Sequence, residues 1–238
     1  MKVMNIDDLY DPEFRKLIKS KKPTIVIPIG SIEQHGAHLP ISTDSDIVTE
    51  IASRLAKKCG FIVFPTISYA VSFEHEPLFN LSLKENNLRK MLDDIIMSLA
   101  ANHIKRIIIL NGHHGNIEVI GYNQRKDPLY MKKLGIRVSK FSYWYFMKHQ
   151  FDHAGFVETS LMLAISNKVK MKKAKKGLIT KGLSEKEKKR ISKLATKPGG
   201  FPKVTKNGVW GDPTGATKKD GQRFISEIVR NLAKECQS

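Results

Sequence analysis

The chain has 238 residues and carries 41 Lys and Arg against 23 Asp and Glu, which gives a formal net charge of +18 at pH 7. Its hydrophobic content of 41% is enough for a buried core. No apolar run of about 18 residues is present, so we do not expect a membrane-spanning helix. Its two cysteines, Cys59 and Cys236, provide neither a disulfide framework nor a zinc-thiolate pair. The first residues lack the apolar stretch of a secretory signal, so we expect a cytoplasmic protein.

Short apolar runs alternate with amphipathic segments along the chain. Runs rich in β-branched residues predict strands at residues 24–29, 61–68, 106–110 and 137–146. Helices are predicted at residues 46–57, 84–101, 154–166 and 222–236. Strands that are apolar along their whole length are covered on both faces, as in a parallel sheet. The alternation therefore predicts a layered α/β protein with right-handed crossovers.

Much of the positive charge lies between Lys168 and Lys193. Few aromatic residues accompany these lysines, so the base-stacking partners of a single-strand binder are missing. We therefore predict a solvated lysine-rich surface and do not expect nucleic acid as the main partner. A phosphorylated small substrate would still profit from the positive field. Residues 168–207 are rich in Lys, Gly and Pro, and we expect a mobile segment within one domain that spans residues 1–238.

Four possible metal ligands lie within twelve residues directly after the first predicted strand, namely Glu33, His35, His38 and Asp44. Carboxylate oxygen and imidazole nitrogen, without thiolate, are a ligand set that divalent metals accept. The carboxyl ends of strands are where open α/β sheets place their sites. This segment indicates metal-dependent hydrolysis.

Two later motifs repeat the pattern. The hexapeptide Asn111–Asn116 follows the predicted strand at residues 106–110 and contains a histidine pair between glycines. Glu158 lies five residues after His153, at the entrance of an apolar helix, where a carboxylate is costly to bury unless it is paired or metal-bound. The alternatives are a turn with exposed histidines and a glutamate favoured by the helix dipole. His75 and Asp212 lie in polar loops and are weaker candidates for substrate contact or ligand support.

The segments GSIEQHGAHLPISTD (residues 30–44), NGHHGN (111–116), HAGFVETS (153–160) and GDPTGAT (211–217) resemble, in this order, the motifs of the creatininase (creatinine amidohydrolase) family. The resemblance implies a three-layer α/β/α fold on a mainly parallel sheet. It also implies hydrolysis of amide C–N bonds, two divalent metal ions per chain, and a homo-oligomer, a hexamer or smaller.

The matching residues imply a particular ligand set. One metal would be held by Glu33, Asp44 and His113, and the other by His35, Asp44 and Glu158, so that Asp44 bridges. Hydroxide held between the metals would attack the amide carbon, and His153 would carry the proton to the departing nitrogen. Fe(II) is the favoured metal, and Zn(II) or Mn(II) would accept the same ligands. Residues expected to contact substrate or support the ligands are His38, His75, His114, Asn116 and Asp212.

One departure from the family pattern bears on the substrate. Creatininase proper has a metal-binding glutamate two residues after the histidine that corresponds to His113, whereas this chain has Gly115. Creatinine is therefore not the expected substrate. The chain is most similar to the archaeal formamide hydrolases of flavin and deazaflavin biosynthesis, which release formate from a phosphorylated formylaminopyrimidine. Open alternatives are creatinine hydrolysis, peptide trimming, and a basic nucleic-acid-binding protein on an inactive hydrolase fold.

Overall fold

The structure is a computed structural model that describes residues 4–121 and 135–237. In these residues five parallel strands form one sheet, in the order β1-β3-β2-β4-β5. The strands are Met4–Asn5 (β1), Thr24–Ile29 (β2), Ile62–Val63 (β3), Arg106–Asn111 (β4) and Arg137–Ser142 (β5). The central pair is in register from Thr24 beside Arg106 to Ile29 beside Asn111. The carboxyl ends of β2 and β4 therefore lie side by side.

Helices cover both faces of the sheet. The α-helices of the described residues are Asp11–Lys21 (α1), Thr43–Cys59 (α2), Glu85–Ala101 (α3), Ile117–Ile120 (α4), Phe156–Ile165 (α5), Glu185–Ala195 (α6), Phe201–Thr205 (α7) and Lys218–Gln237 (α8). Apolar residues of α2, α5 and α8 form one core cluster, and those of α1, α3 and α4 contribute to a second cluster with β2 and β4. The predicted three-layer α/β/α fold is confirmed. None of these helices combines the length and the apolar character needed to cross a bilayer.

The four predicted strands and the four predicted helices occur where the sequence indicates, with two strands shorter than expected, whereas β1 and α1 were not predicted. The run at residues 61–68 is a strand only at Ile62–Val63, and beyond it the backbone keeps single bonds to β2, such as Ile67 N–H to Pro28 O at 3.0 Å. β5 ends at Ser142 because Tyr143 and Trp144 turn into the core as a 3-10 helix and pack against Phe151.

The lysine-rich segment contains two helices that the sequence analysis did not predict. Ser184 caps α6 by accepting a hydrogen bond from the Glu187 N–H. Ala195, Phe201 and Thr205 are buried, and this part of the chain packs over the carboxyl edge of the sheet. Its mobility stays a prediction.

Candidate metal centre

The loop after β2 returns to the sheet and brings three possible ligands together. β2 is buried along its whole length, and the chain then turns at Gly30, where a Cβ atom would lie 2.6 Å from Ser45 Cα. The Glu33 N–H donates to Ile41 O at 3.0 Å, which closes the loop. Asp44 consequently lies in the first turn of α2, beside the carboxyl end of the strand that precedes Glu33.

The hexapeptide after β4 is tied to the neighbouring loops by two asparagines. Asn111 Oδ1 accepts hydrogen bonds from the His113 N–H at 3.0 Å and from Asn116 Nδ2 at 3.2 Å. Asn116 also donates to Gly30 O and accepts from the Val71 N–H. Asn116, which we expected to contact substrate or support the ligands, is a buried connection between three loops and shares the acceptor Asn111 Oδ1 with His113.

Asp44 lies at the centre of the cluster. Its Oδ2 is 2.8 Å from His113 Nδ1, and its Oδ1 is 3.1 Å from His35 Nε2. His35 Nε2 is also 3.6 Å from Glu158 Oε2, and His113 Nε2 is 3.2 Å from Glu33 Oε2. All five side chains are at most 3% exposed. The structure thus brings together the five residues of the predicted ligand set.

The second nitrogen of each imidazole faces a backbone carbonyl. His35 Nδ1 lies 3.1 Å from Glu33 O, and His113 Nε2 lies 2.7 Å from Val71 O. An imidazole that donates one N–H to a carbonyl presents its other nitrogen in a fixed direction, as metal-binding histidines commonly do. Both remaining nitrogens, His35 Nε2 and His113 Nδ1, point at Asp44.

Several carboxylate oxygens in the cluster have no hydrogen-bond donor. Among the described residues, both oxygens of Glu33 and Oε1 of Glu158 are buried without a partner, whereas Glu158 Oε2 accepts from the Ala154 N–H at 2.6 Å. Unsatisfied buried carboxylate oxygens are costly unless a cation meets them. Potential ligand atoms in each of two groups, Glu33–Asp44–His113 and His35–Asp44–Glu158, lie within 4.8 Å of one another. These groups fit divalent metal ions that share Asp44.

In the metal-free protein, the carboxylates of the cluster favour protonation of the two neighbouring imidazoles. Burial alone would lower the pKa of His35, but the negative charges of Asp44, Glu158 and Glu33 outweigh it and raise that pKa to about 10. Burial also opposes a charge on His113, yet Glu33, Asp44 and Glu74 raise its pKa to about 10. Burial raises the pKa of Glu158 well above its usual range. A cation would replace the protons on both imidazoles.

A cavity of about 210 Å³ opens beside the cluster. Asp44, His113 and Glu158 lie at its floor, and His153 and His75 contribute to its lining. Its other walls come from Phe151, Trp210, and Ser192, Ala195, Thr196 and Phe201 of the segment that includes α6 and α7. Phe201 packs on both imidazoles, with ring centroids 4.5 Å from His75 and 4.8 Å from His153.

The remaining candidate residues occupy different positions around the cluster. His153 is mostly buried, with Nδ1 3.8 Å from Glu33 Oε1, and His75 Nε2 is 3.0 Å from that oxygen. His38 is buried behind His35 and contacts Thr159 Oγ1 at 2.9 Å. His114 lines the cavity mouth beside Trp144. Asp212 is absent from the cavity wall and accepts hydrogen bonds from Thr214.

Three polar residues of the site, Glu74, Gln34 and Asp152, were not predicted from the sequence. Glu74 Oε1 lies 3.6 Å from His113 Nε2, and the Gln34 side chain lies between His75 and His153. Asp152 accepts a hydrogen bond from the Val157 N–H at 2.9 Å at the start of α5, and burial raises its pKa to about 7. An aspartate shortly before an apolar helix is a capping signal that could have indicated Asp152.

Gly115 has no space for a side chain in this arrangement. A Cβ atom there would collide with Val71 O, and would lie 2.5 Å from His113 Nε2 and 2.7 Å from Glu74 Oε1. The glycine thus allows the imidazole of His113 and the carboxylate of Glu74 to approach the same position. A glutamate at position 115 would require both to move.

Comparisons with known proteins agree with this geometry. The family model described as Creatininase: Creatinine amidohydrolase matches residues 7–236. The mycofactocin precursor peptide peptidase of Mycobacterium ulcerans (strain Agy99) is 32% identical over 224 residues, which cover 89% of this chain and 84% of that protein. Creatinine amidohydrolase of Pseudomonas putida is 28% identical over 186 residues, covering 67% and 71%.

A shorter match is to a formamide hydrolase. The 2-amino-5-formylamino-6-ribosylaminopyrimidin-4(3H)-one 5'-monophosphate deformylase of Methanosphaera stadtmanae is 36% identical over 98 residues, covering 40% of this chain and 42% of that protein. Among solved structures, creatinine amidohydrolase superposes with a TM-score of 0.78 at 22% identity, covering 99% of this chain and 97% of the other. A structure described as Creatininase Mn gives 0.79 at 21% identity, with the same coverage.

Proposed function

Since the chain belongs to the creatininase family, we propose that it is a dinuclear metal-dependent amidohydrolase that cleaves an amide C–N bond at the Asp44 cluster. The observation that carries the proposal is the position of Asp44, whose two oxygens face His35 and His113 at 3.1 and 2.8 Å. Each proposed metal would have three protein ligands, which leaves positions for water and substrate. Bound divalent cations would acidify water and polarise the amide carbonyl.

The chain's own residues would supply the remaining chemistry. Burial and the nearby charges of His35 and His75 lower the pKa of His153 well below its usual range, so its imidazole is neutral in the metal-free protein. His153 would take a proton from the attacking water and deliver it to the amide nitrogen as the C–N bond breaks. Phe201 would exclude bulk water from the imidazoles, which strengthens the electrostatic interactions inside the cavity.

For the substrate, we favour an amide within a peptide. Relatives described as peptide peptidases align over most of this chain at about 30% identity. In addition, none of the described residues that line the cavity is Lys or Arg, so a buried phosphate would lack a cationic partner there. A substrate of this kind would place its scissile amide at the metal cluster and its remaining length outside the mouth.

A formamide is the second candidate, because the deformylase of Methanosphaera stadtmanae is 36% identical over its matched part. The phosphate of that substrate would have to lie outside the cavity, near the lysines of the segment from 168 to 207. This candidate retains Fe(II) as the favoured metal and a phosphorylated small molecule as the partner. A homo-oligomer, a hexamer or smaller, and a cytoplasmic location remain proposals for either substrate.

The experiment is a parallel assay of two substrate classes. Protein is loaded anaerobically with Fe(II), Zn(II) or Mn(II), then incubated with a panel of short peptides and with the formylaminopyrimidine phosphate. Peptide fragments are followed by mass spectrometry, and formate by an enzymatic assay. Cleavage of a peptide without formate release would support the first candidate, and the reverse result would support the second. Hydrolysis of neither, together with tight nucleic-acid binding, would support the basic binding protein on an inactive fold.

A further inference from the structure

Helix α5 begins at a residue that cannot cap it. The first amides of a helix have no acceptor within the helix, and the side chain of the N-cap residue usually accepts from them. The N-cap residue of α5 is Gly155, which has no side chain. Asp152 takes this role from three residues upstream, since its Oδ2 accepts from the Val157 N–H at 2.9 Å and its Oδ1 from the Glu158 N–H at 3.3 Å. One carboxylate thus holds two successive amides, and the second belongs to a proposed metal ligand.

Two glycines leave the space that this carboxylate occupies. A Cβ atom at Gly155 would collide with Asp152 Oδ2 and lie 2.6 Å from Asp152 Cγ. The φ of Gly155 is −93°, which any residue can adopt, so space and not backbone conformation requires the glycine. On the other side, a Cβ atom at Gly211 would lie 3.2 Å from Asp152 Oδ2. The position of the Asp152 carboxylate is therefore built into both neighbouring segments.

Glu158 is held at both of its ends by the residues that precede α5. Its N–H donates to Asp152, and its side chain reaches back so that Oε2 accepts from the Ala154 N–H at 2.6 Å. This reciprocal arrangement resembles a capping box, in which a side chain upstream of the helix and a glutamate in its first turn each bind a backbone amide. The other oxygen of Glu158, Oε1, is buried without a hydrogen-bond partner among the described residues. The direction of the Glu158 carboxylate is thus set by residues 152–154.

The turn between Asp152 and α5 needs support from outside itself. Ala154 has a φ of 52°, in the left-handed region that a residue with a Cβ atom disfavours. On one side the turn is paired with Trp210, since the His153 N–H donates to Trp210 O at 3.1 Å and the Trp210 N–H donates to His153 O at 2.8 Å. On the other side the two hydrogen bonds of Asp152 tie the turn to α5. Without Asp152, the turn would keep its pairing with Trp210 and lose this connection to the helix.

We propose that Asp152 is a positioning residue that holds Glu158 in the direction of one metal, the metal of the His35–Asp44–Glu158 group. Asp152 lines the cavity but belongs to neither proposed ligand group, so it acts through the backbone of Glu158. Groups that orient a ligating side chain support metal affinity and activity. Because Asp152 has no such connection to Glu33 or His113, its loss should affect one metal and not the other. This inference rests on the proposed dinuclear amidohydrolase.

The first test is the affinity of each metal site. Metal-free protein is titrated with Zn(II) in a calorimeter, and the binding step that is missing in Glu158→Gln is assigned to the His35 group. In Asp152→Ala we expect this step to weaken by about 10- to 100-fold, as is common when a group behind a metal ligand is lost, while the other step is unchanged. Asp152→Asn keeps one acceptor oxygen, so we expect a smaller loss.

The second test needs no metal. Amide hydrogen exchange is measured by NMR in the metal-free protein. We expect the amides of Val157 and Glu158 to exchange at least about fivefold faster in Asp152→Ala than in the wild type, because both lose their acceptor. Gly155→Ala serves if removal of the aspartate prevents folding, since its methyl group would displace the carboxylate without removing it. We expect this variant to show faster exchange at the same two amides and the same loss at one metal site.

The matched control removes a helix cap elsewhere. Ser184 Oγ accepts from the Glu187 N–H at 3.3 Å at the start of α6, so Ser184→Ala should change neither zinc step. Equal weakening of both steps in Asp152→Ala, or unchanged zinc affinity together with faster exchange of the Glu158 amide, would overturn the proposal. Failure of the proposed function is a different result, in which loaded wild-type protein hydrolyses no amide whatever the variants do to zinc binding.

Discussion

Asp44 Oδ2 lies 2.8 Å from Nδ1 of His113, although Asp44 begins α2, His113 follows β4, and the two residues are 69 positions apart in the chain. The contact exists because β2 and β4 are adjacent and in register up to Ile29 and Asn111. The other oxygen of Asp44 faces His35. One aspartate therefore joins the two ligand groups, and the proposed dinuclear centre depends on it.

Replacing Glu158 by Gln should remove one metal and leave the other. Glu158 belongs only to the group with His35 and Asp44, so the group with Glu33 and His113 keeps its ligands. We expect the metal content, measured by mass spectrometry of the elements, to fall by about half, and activity to fall by at least about 100-fold, since even supporting residues contribute 10- to 100-fold. Glu50→Gln, which changes an exposed carboxylate paired with Arg54 on α2, is the matched control. Loss of all metal in Glu158→Gln would contradict the division into two groups.

Metal binding should release protons, and the apparent affinity should rise with pH. In the metal-free protein the pKa values of His35 and His113 are raised to about 10, so both imidazoles are protonated at neutral pH. Their protonation stabilises the metal-free fold below pH 6.5, and this contribution is lost as the pH rises through about 10. A metal ion binds the unprotonated nitrogens, so its apparent affinity rises as the pH rises. Calorimetry in buffers of different ionisation enthalpy measures the protons released; binding without proton release would contradict this account.

Gly115→Ala should disturb the centre, whereas Gly215→Ala should not. The added methyl at position 115 would meet Val71 O and lie 2.5 Å from His113 Nε2, whereas no atom lies within 4 Å of a Cβ at Gly215. Overpacking of this kind costs about 1–3 kcal/mol. We expect a lower free energy of unfolding in metal-free Gly115→Ala, measured in urea, and weaker metal binding. Equal stability and equal metal affinity in the two variants would show that His113 and Glu74 do not occupy this space.

A bulky residue at the cavity wall should reduce turnover without affecting the metals. Ser192 of α6 lines the cavity and belongs to neither of the two proposed ligand groups. We expect Ser192→Trp to lower kcat/KM by at least about tenfold for whichever amide the parallel assay identifies, because the pocket would no longer accept the substrate. Ser226→Trp, at an exposed position of α8, is the control. Undiminished kcat/KM in Ser192→Trp would place substrate entry elsewhere.

The local signals in the sequence predicted most of the sheet and the core of the site. β2 is apolar on both faces, so the strand can be predicted from its own residues. Glycines and polar residues directly follow β2 and β4, so the loops that carry the ligands can also be predicted from the sequence. The five ligand residues follow strand ends or begin helices. Their assembly follows from parallel pairing, which aligns the carboxyl ends of β2 and β4.

The rest depends on contacts between distant segments. Gln34 and Glu74 are ordinary polar residues in their own neighbourhoods, and only the folded chain brings Gln34 to His153, 119 positions away. Helix α6 is amphipathic, but lysines dominate it and it contains few apolar residues, although Ala195 at its end is buried. That lysine-rich composition favoured a solvated surface, and it concealed that this segment contributes a wall of the cavity.

The most direct test of the dinuclear amidohydrolase is the metal content and activity of Asp44→Asn compared with Asp46→Asn. Asp46 is on the same helix but interacts with Lys168 at the surface, 3.3 Å away. After anaerobic reconstitution, we predict two metal ions per chain in the wild type and in Asp46→Asn, and loss of both metals and of amide hydrolysis in Asp44→Asn. Well under one metal per chain in the wild type, unchanged by Asp44→Asn, would contradict the account.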